Sequence, residues 1–546
     1  MKRFDRSARR ARIAAPSAFF ALLLSATAAL GQNSPVTVAI DATANVHPIN
    51  PLIYGVAFAS KEDLIRLNAP LNRSGGNNMS TYNWLVNAQN LDDDWYFESY
   101  PQPSANHGAE ADSFVSFSKN AGAQPMLTVP LIGWVATLGP DRSILPAFAV
   151  SKYGTQCSVD PYDTNAGDGL KTDCATFITG NTPADAYVPD SPTIEQKWIK
   201  HLIAKWGTWA TGGVGYYLMD NEPSIWFSTH RDIHPIGPHA DEYRDDVLAE
   251  SASIKALDPG AQIVAPEEWG WDGYFYSGYD QQYAAAHGWS SFPDRQNEEG
   301  GMDYIPWLLT QWKAAGHPVD VLSVHFYPQG GEDSDDISTA TELLRNRSTR
   351  QLWDPNYVSE SWIDAPVYLI PRLQGWIASY YYAGTPVAVT EYNWGAEGYI
   401  NGATTQADIY GIFGQQGLGM ATRWTVPARN TPTFKAMQMY RNYDGANSTF
   451  GNTSVSAIVP NPDNLSAFAA LRTSDGAMTV MVISKVLSGN TSVSLNVAHF
   501  AASGSAKVYR LTSSNTIKPL PNKAWSGGVL SDVEPAQSIT LYVLPN

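Results

Sequence analysis

The chain has 546 residues, 44% of them hydrophobic and 16% charged, with 36 Pro and 43 Gly. That balance excludes a disordered tail, a collagen and a coiled coil, and the length exceeds one ordinary domain. The formal charge of −17 repels phosphate backbones, so nucleic acid is not an expected partner, while 18 Trp and 28 Tyr supply flat faces for stacked sugar rings or for an aromatic core.

Residues 1–31 open with Lys2, Arg3, Arg6, Arg9, Arg10 and Arg12, run through an apolar stretch from Ile13 to Leu24 and close on small residues. This is the form of a secretory signal peptide, with cleavage after Gly31 or a few residues earlier. The apolar stretch is shorter than the roughly 20 residues of a membrane span, and no later segment qualifies. A secreted protein, extracellular or periplasmic, with no membrane partner is therefore expected.

Residues 32–50 hold one strand, Val36–Ile40, expected to cross over and join a C-terminal β-sandwich. Residues 51–440 contain eight short apolar runs separated by helical or looped stretches: Ile53–Phe58, Leu71–Arg73, Pro125–Leu131, Gly215–Met219, Gln262–Pro266, Val319–Phe326, Pro386–Thr390 and Ala421–Val426. Near-continuous apolar runs suit strands buried on both faces, as in a parallel sheet. Eight of them with intervening helices predict an α/β domain, the (β/α)8 TIM barrel. Cys157 and Cys174, the only cysteines, fall in the long insertion after the third run. In an oxidising compartment they are expected to form a disulfide.

From 441 to 546 the pattern turns to alternating strands set off by Gly, Asn, Ser and Pro: Val455–Val459, Ser466–Arg472, Met478–Val486, Val493–Phe500, Ala506–Leu511 and Ser538–Leu544. This predicts the β-sandwich. No Pro/Ser-rich or Gly-rich linker separates it from the barrel, so rigid docking is expected.

In a barrel of this kind chemistry collects at the C-terminal strand ends. The fourth run leads into Asp220-Asn221-Glu222-Pro223 and the seventh ends in Thr390-Glu391-Tyr392-Asn393-Trp394. Each places a glutamate at the mouth, where desolvation raises a carboxyl pKa. One such glutamate is as readily a salt-bridged structural residue. Two facing each other suit glycoside hydrolysis, in which one acid protonates the leaving oxygen and a second carboxylate attacks or activates water.

Further motifs carry a family resemblance. They are Arg73-Ser-Gly-Gly-Asn-Asn78, Tyr82-Asn-Trp84, Asp94-Trp-Tyr-Phe-Glu98, Tyr217-Leu-Met-Asp-Asn-Glu-Pro-Ser-Ile-Trp226, Thr229-His-Arg-Asp-Ile-His-Pro235, Thr390-Glu-Tyr-Asn-Trp-Gly395 and Tyr440-Arg-Asn-Tyr-Asp-Gly445. With them the chain resembles glycoside hydrolase family 44. The resemblance implies a barrel with a β-sandwich and endo-acting, retaining cleavage of β-1,4-glucans, xyloglucan among them. It also implies Glu222 as acid/base and Glu391 as nucleophile. No segment resembles the cellulose-binding module or dockerin that some relatives carry.

Around that pair, Asn221 is expected to bond the sugar 2-hydroxyl, and Arg73 to hold Glu391 ionised. His325 and Tyr327 close the sixth run, with Tyr327 a donor to Glu391. Trp424 is expected to floor the subsite, with Trp134, Trp226 and Trp394 as further sugar platforms; a tryptophan taken alone is more often core packing. His230, Asp232, His234 and His239 have ligand-like chemistry, but their place directly after Glu222 favours hydrogen bonds that position the loop. A structural Ca²⁺, implied by the resemblance, is matched by the oxygen-rich loop of Asp160, Asp163 and Asp168, with Glu98 reaching the same ion. No cofactor is expected for catalysis. The expectation is a monomeric endo-β-1,4-glucanase acting on plant cell-wall polysaccharide such as xyloglucan or carboxymethylcellulose. A β-1,4-xylanase or mannanase on the same scaffold, and a glycan-binding protein without turnover, stay open.

Overall fold

The computed structural model describes residues 32–546; the expected signal peptide lies outside the described residues. The first strand, β1 (Gln32–Asp41), belongs to the C-terminal sheet. Eight strands then close a barrel: β2 (Gly55–Ala57), β3 (Leu71–Ser74), β4 (Gln124–Val129), β5 (Tyr216–Met219), β6 (Gln262–Glu268), β7 (Val321–Phe326), β8 (Val387–Tyr392) and β9 (Met420–Arg423). All pairs are parallel, and Arg423 beside Val56 closes the ring. Alternation along each strand divides the apolar side chains between two cores. Leu71, Met126, Leu218, Val264, Val321, Ala388 and Met420 fill the inside, while Leu127, Tyr217, Ile263, Leu322 and Val389 face the helical layer. The eight expected runs match these strands, but β6 and β8 continue past the expected Pro266 and Thr390 ends to Glu268 and Tyr392.

Helix α1 (Pro192–Trp206) starts with proline in its first turn and stops before Gly207 at φ +85°, where a left-handed residue ends the hydrogen-bond ladder. Helix α2 (Ala240–Leu257) is opened by a capping box between His239 and Glu242. A third, α3 (Ile400–Gln415), is almost wholly buried because it lies between barrel and sandwich.

The C-terminal strands are β10 (Thr453–Ile458), β11 (Leu465–Leu471), β12 (Met478–Ser484), β13 (Asn490–Ala498), β14 (Gly504–Leu511), β15 (Lys518–Trp525), β16 (Val529–Pro535) and β17 (Ser538–Leu544). Their order is β15-β14-β17-β12-β11-β10-β1-β13-β16. The two ends of that path, β15 and β16, are joined by a tight turn, so the sheet folds over on itself around Val38, Val480, Leu495, Trp525 and Tyr542. As expected, β1 crosses into this unit, pairing antiparallel with β10 and parallel with β13. β15 and β16 were not among the expected strands. Pro519 and Pro521 break the strand pattern of β15, which tolerates them as a terminal strand of the path.

The sandwich is docked on α3 through one continuous core that includes Ile409, Phe413, Phe468, Met481 and Leu541. A Cβ on Gly411 would stand 2.1 Å from the Phe468 ring, so only glycine permits this approach. Lys485 donates to Asp408 at 2.5 Å with both side chains 2% exposed, a buried ion pair across the junction. Cys157 and Cys174 form the expected disulfide, with Cα atoms 5.0 Å apart.

Candidate active site

Asp220, Glu222 and Glu267, all beyond or at barrel strand ends, adopt positive φ (66°, 47° and 59°). Such backbone is costly for a residue with a side chain and persists where the surroundings hold it. It turns the Glu222 side chain into the mouth, where a Glu222 oxygen, a His325 nitrogen and a Glu391 oxygen all lie within 4.8 Å of one another.

The two carboxylates have different partners. Glu391, on β8, accepts from Arg73 Nη1 through Oε1 at 2.6 Å and from the Tyr327 hydroxyl through Oε2 at 2.8 Å. Glu222 faces His325 Nδ1 through Oε1 at 2.7 Å, and that nitrogen is 3.7 Å from Glu391 Oε2. Burial pushes the Glu222 carboxyl above the ordinary range, against the lowering effect of His325. Burial opposes charge on His325 too, yet the carboxylates of Glu391, Glu222 and Glu267 outweigh it and raise the imidazole to about 10. Charged at neutral pH, His325 donates from both nitrogens.

Glu267 is the residue the sequence reading missed. Fully buried at the end of β6, it accepts from Arg73 Nη2 at 3.0 Å and from the Thr390 hydroxyl at 2.8 Å, and stands 3.3 Å from His325 Nε2. Burial raises its carboxyl, but Arg73 and His325 prevail and hold it below its usual value. The available signal was Glu267 after an apolar strand, the same signal that marked Glu222 and Glu391. Next to it Glu268, pushed by burial to about 8, accepts from Ser224 on the turn after Glu222.

Arg73 reaches this position because Gly75 leaves space; a Cβ there would lie 2.3 Å from the guanidinium carbon. Gly76, at φ +82°, likewise lets the Trp424 ring approach, since a Cβ would meet it at 2.6 Å. Trp424 is partly exposed beside Arg73, whose guanidinium is 5.9 Å from the ring centre, and Phe58 packs edge-on against it. Asn221 gives its carbonyl to Arg73 Nη2 at 3.0 Å and to Gly76 N–H at 3.2 Å. Its amide bonds Asn77 at 3.2 Å, leaving one N–H for a ligand.

Three expected substrate contacts are corrected. Trp226 is fully buried, its indole donating to the main-chain carbonyl of Asn221, so it props the Glu222 turn from behind. Trp394 is 3% exposed, bonded to Ser348 and packed on Phe326. His325 is fully buried and meets carboxylates, leaving no face for a sugar. Trp134 is half-buried on a two-stranded ribbon opposite Pro189. Trp362, not anticipated, is 53% exposed, and its indole N–H bonds Gln329, which in turn donates to the Tyr327 carbonyl. An aromatic face is thereby fixed to the loop that carries a partner of Glu391.

His230, His234 and His239 point to separate partners: Asn77 O at 3.1 Å, Glu242 at 2.9 Å and Asp294 at 2.7 Å. Asp232 accepts from Tyr187. They brace the loop after Glu222, as their position suggested. Glu98, on the segment after β3, is buried with neither carboxylate oxygen receiving a donor, and Asp160 of the insertion is buried with Oδ2 unpaired. Burial and the neighbouring Asp160 and Asp163 push Glu98 to about 8. Asp168 turns elsewhere, capping Leu170 N–H at 3.1 Å.

A (β/α)8 barrel with opposed carboxylates at its mouth defines a glycoside hydrolase. The family model described as glycoside hydrolase family 44 matches residues 88–330. The chain is 56% identical to CelM2, a bifunctional glucanase-xylanase protein from a metagenome library, with a TM-score of 0.93 over 94% of this chain and all of that one. A Paenibacillus polymyxa xyloglucanase from glycoside hydrolase family 44 matches at 27% identity and a TM-score of 0.76, over 94% of this chain and all of that one. Endoglucanase A of Paenibacillus lautus is 30% identical over 479 residues, 82% of this chain. The chain spans 63% of that relative's length and 36% of a second curated relative's. It belongs to glycoside hydrolase family 44. No helix among the described residues is long and apolar enough to cross a membrane.

Proposed function

We propose that the protein is a secreted, retaining endo-β-1,4-glucanase that cleaves internal bonds of soluble glucans such as xyloglucan and carboxymethylcellulose. The observation that carries this reading is the approach of Glu222 and Glu391 to within 4.8 Å, compatible with the separation of about 5–5.5 Å used for double displacement rather than the wider gap that admits water between the carboxyls. Glu391, fixed by Arg73 and Tyr327, attacks the anomeric carbon. Glu222, with Oε1 engaged by His325, delivers its proton from Oε2 to the departing oxygen. Once Glu391 is esterified its charge is gone, the pKa of Glu222 falls, and the same carboxylate takes a proton from the water that frees the product. Trp424 floors the cleft beside this pair, and the remaining N–H of Asn221 meets the 2-hydroxyl.

Residues of the insertion, with Glu98 from the segment after β3, fit a structural Ca²⁺. Glu98, Asp160 and Asp163 would hold it, because both carboxylate oxygens of Glu98 and Oδ2 of Asp160 are buried without a donor and the Asp163 charge bears on Glu98. It would tie the insertion to the barrel and takes no part in the steps above.

The test is reducing-sugar release with viscosity followed in parallel on xyloglucan, carboxymethylcellulose, glucomannan and xylan. A fast viscosity drop with few new ends on the first two is expected. Xylan cleavage is the second reading, favoured by the 56% identity to a glucanase-xylanase. Glu391→Gln should fold and lose at least about 10³-fold in kcat; near-wild-type turnover in that variant ends the assignment, as does silence on all four polymers.

A further inference from the structure

Helix α3 begins after β8, at the mouth, and ends ahead of β9, so its last turn lies at the opposite end of the barrel. There a cavity of about 610 Å³ opens between residues 412–416 and strands β10 and β11 of the sandwich. Pockets that hold small ligands measure about 300–1,000 Å³. None of Arg73, Glu222, Glu391 and Trp424 borders it. Asp408 and Lys485 line it and are all but buried, which places their ion pair at its inner end. Trp353 stands half-buried on its wall, and Ile458 at its border is 64% exposed.

The ion pair is not fully satisfied. Asp408 Oδ2 accepts from Lys485 Nζ at 2.5 Å and from the Thr349 hydroxyl at 2.7 Å, but Oδ1 receives no donor. Lys485 Nζ also donates to the Asn346 carbonyl at 3.2 Å. An ammonium has three N–H groups, so one is left over. A spare acceptor and a spare donor thus stand side by side on groups whose charges cancel. An entering anion would meet the unpaired carboxylate oxygen, and a cation would meet the ammonium. Arg350, also on the wall, is taken by Asp354 at 2.8 Å and Asp463 at 3.2 Å. A neutral ligand with adjacent hydroxyls suits the pair, one hydroxyl donating to Asp408 Oδ1 and the next accepting from Lys485. A buried acceptor left without a donor is costly, which favours such a ligand. The Ser456 hydroxyl and the Gln416 amide extend the polar lining, while Trp353 and Ile458 offer apolar surface to the C–H face of a ring. Adjacent hydroxyls on a ring with apolar faces are the chemistry of a pyranose.

We propose that this cavity is a second, non-catalytic carbohydrate site, which takes a short stretch of neutral β-1,4-glucan between Trp353 and the Lys485–Asp408 pair. The identity of the sugar rests on the glucanase reading above. A chain held there anchors the enzyme to its polymer at the junction of barrel and sandwich, away from the cleft where bonds are cut.

The test counts cellotetraose bound per chain by equilibrium dialysis on full-length E391Q, chosen so that the ligand is not consumed. Two molecules are expected, one in the cleft and one at the junction. E391Q/W424A should lose the first, E391Q/W353A should lose the second, and E391Q/Q416A should weaken the second several-fold. A count of one that W424A abolishes would overturn the junction site and leave the glucanase reading standing. A count of two unmoved by W353A and Q416A would overturn it as well. Absence of all binding would also overturn it, while the polymer assays above decide the glucanase reading separately. Should W353A fail to fold, Q416A and a crystal of E391Q soaked in cellotetraose decide: a sugar between Trp353 and Lys485 supports the site, and none there refutes it.

Discussion

At 3.0 Å from the Arg73 guanidinium and 3.3 Å from His325, Glu267 contacts both cations that serve the opposed pair. Its carboxylate helps keep His325 protonated, and protonated His325 favours the ionised form of Glu222. Replacing it by glutamine therefore lowers the imidazole pKa and lets Glu222 keep its proton to higher pH. In Glu267→Gln the alkaline limb of the kcat/KM profile should move upward, with kcat down on the order of 10–100-fold as Arg73 loses an anchor. An unmoved limb would sever the link through His325. Tryptophans separate by the same local logic. Trp362→Ala should raise KM about 2–10-fold, the loss of one aromatic contact, with the melting temperature little changed. Trp226→Ala should instead cost about 3–5 kcal/mol of stability, read by denaturant unfolding, because it empties a buried site. Strand-end position made Glu222, Glu391, Arg73 and Tyr327 legible in the sequence. It did not distinguish the buried Trp226 and Trp394 from the exposed Trp362, because a mouth loop has no periodicity from which to read which face meets solvent.

Among the elements, β6 best shows where sequence reasoning stopped. Pro266 reads as a strand terminator, since proline cannot donate to a ladder. In the barrel, however, the strand carries on past it, with Glu268 beside Val324 and Glu267 N–H donating to Ser323. That extension sets the buried glutamate under the mouth. Helix α3 was not marked out in the sequence, and its burial on all sides depends on the sandwich. The Lys485–Asp408 pair fixes that junction. Lys485→Ala would leave Asp408 charged and buried, with Oδ1 already unpaired, and should cost about 3–5 kcal/mol. Thermal unfolding checks it. Asp408→Asn/Lys485→Met, which removes both charges, should recover much of the loss.

For the molecule as a whole, the change from apolar runs to alternating strands near residue 445 announced two architectures, and the absence of a linker announced that they would not swing freely. The sequence pattern could not reveal that they share one hydrophobic core through α3. A fragment of residues 51–440 would bare Ile409, Phe413 and the buried face of α3, and should aggregate on expression, as sedimentation would report. The position of β1 has a consequence for the order of assembly. The first described strand to emerge from the ribosome takes both its neighbours from the last third of the chain, Ile458 opposite Ala39 and Leu495 beside Val38. Until those segments emerge it has two open edges and nothing to pair with. The whole barrel is thus enclosed in a loop whose ends meet late, and the first described strand is among the last to acquire its partners.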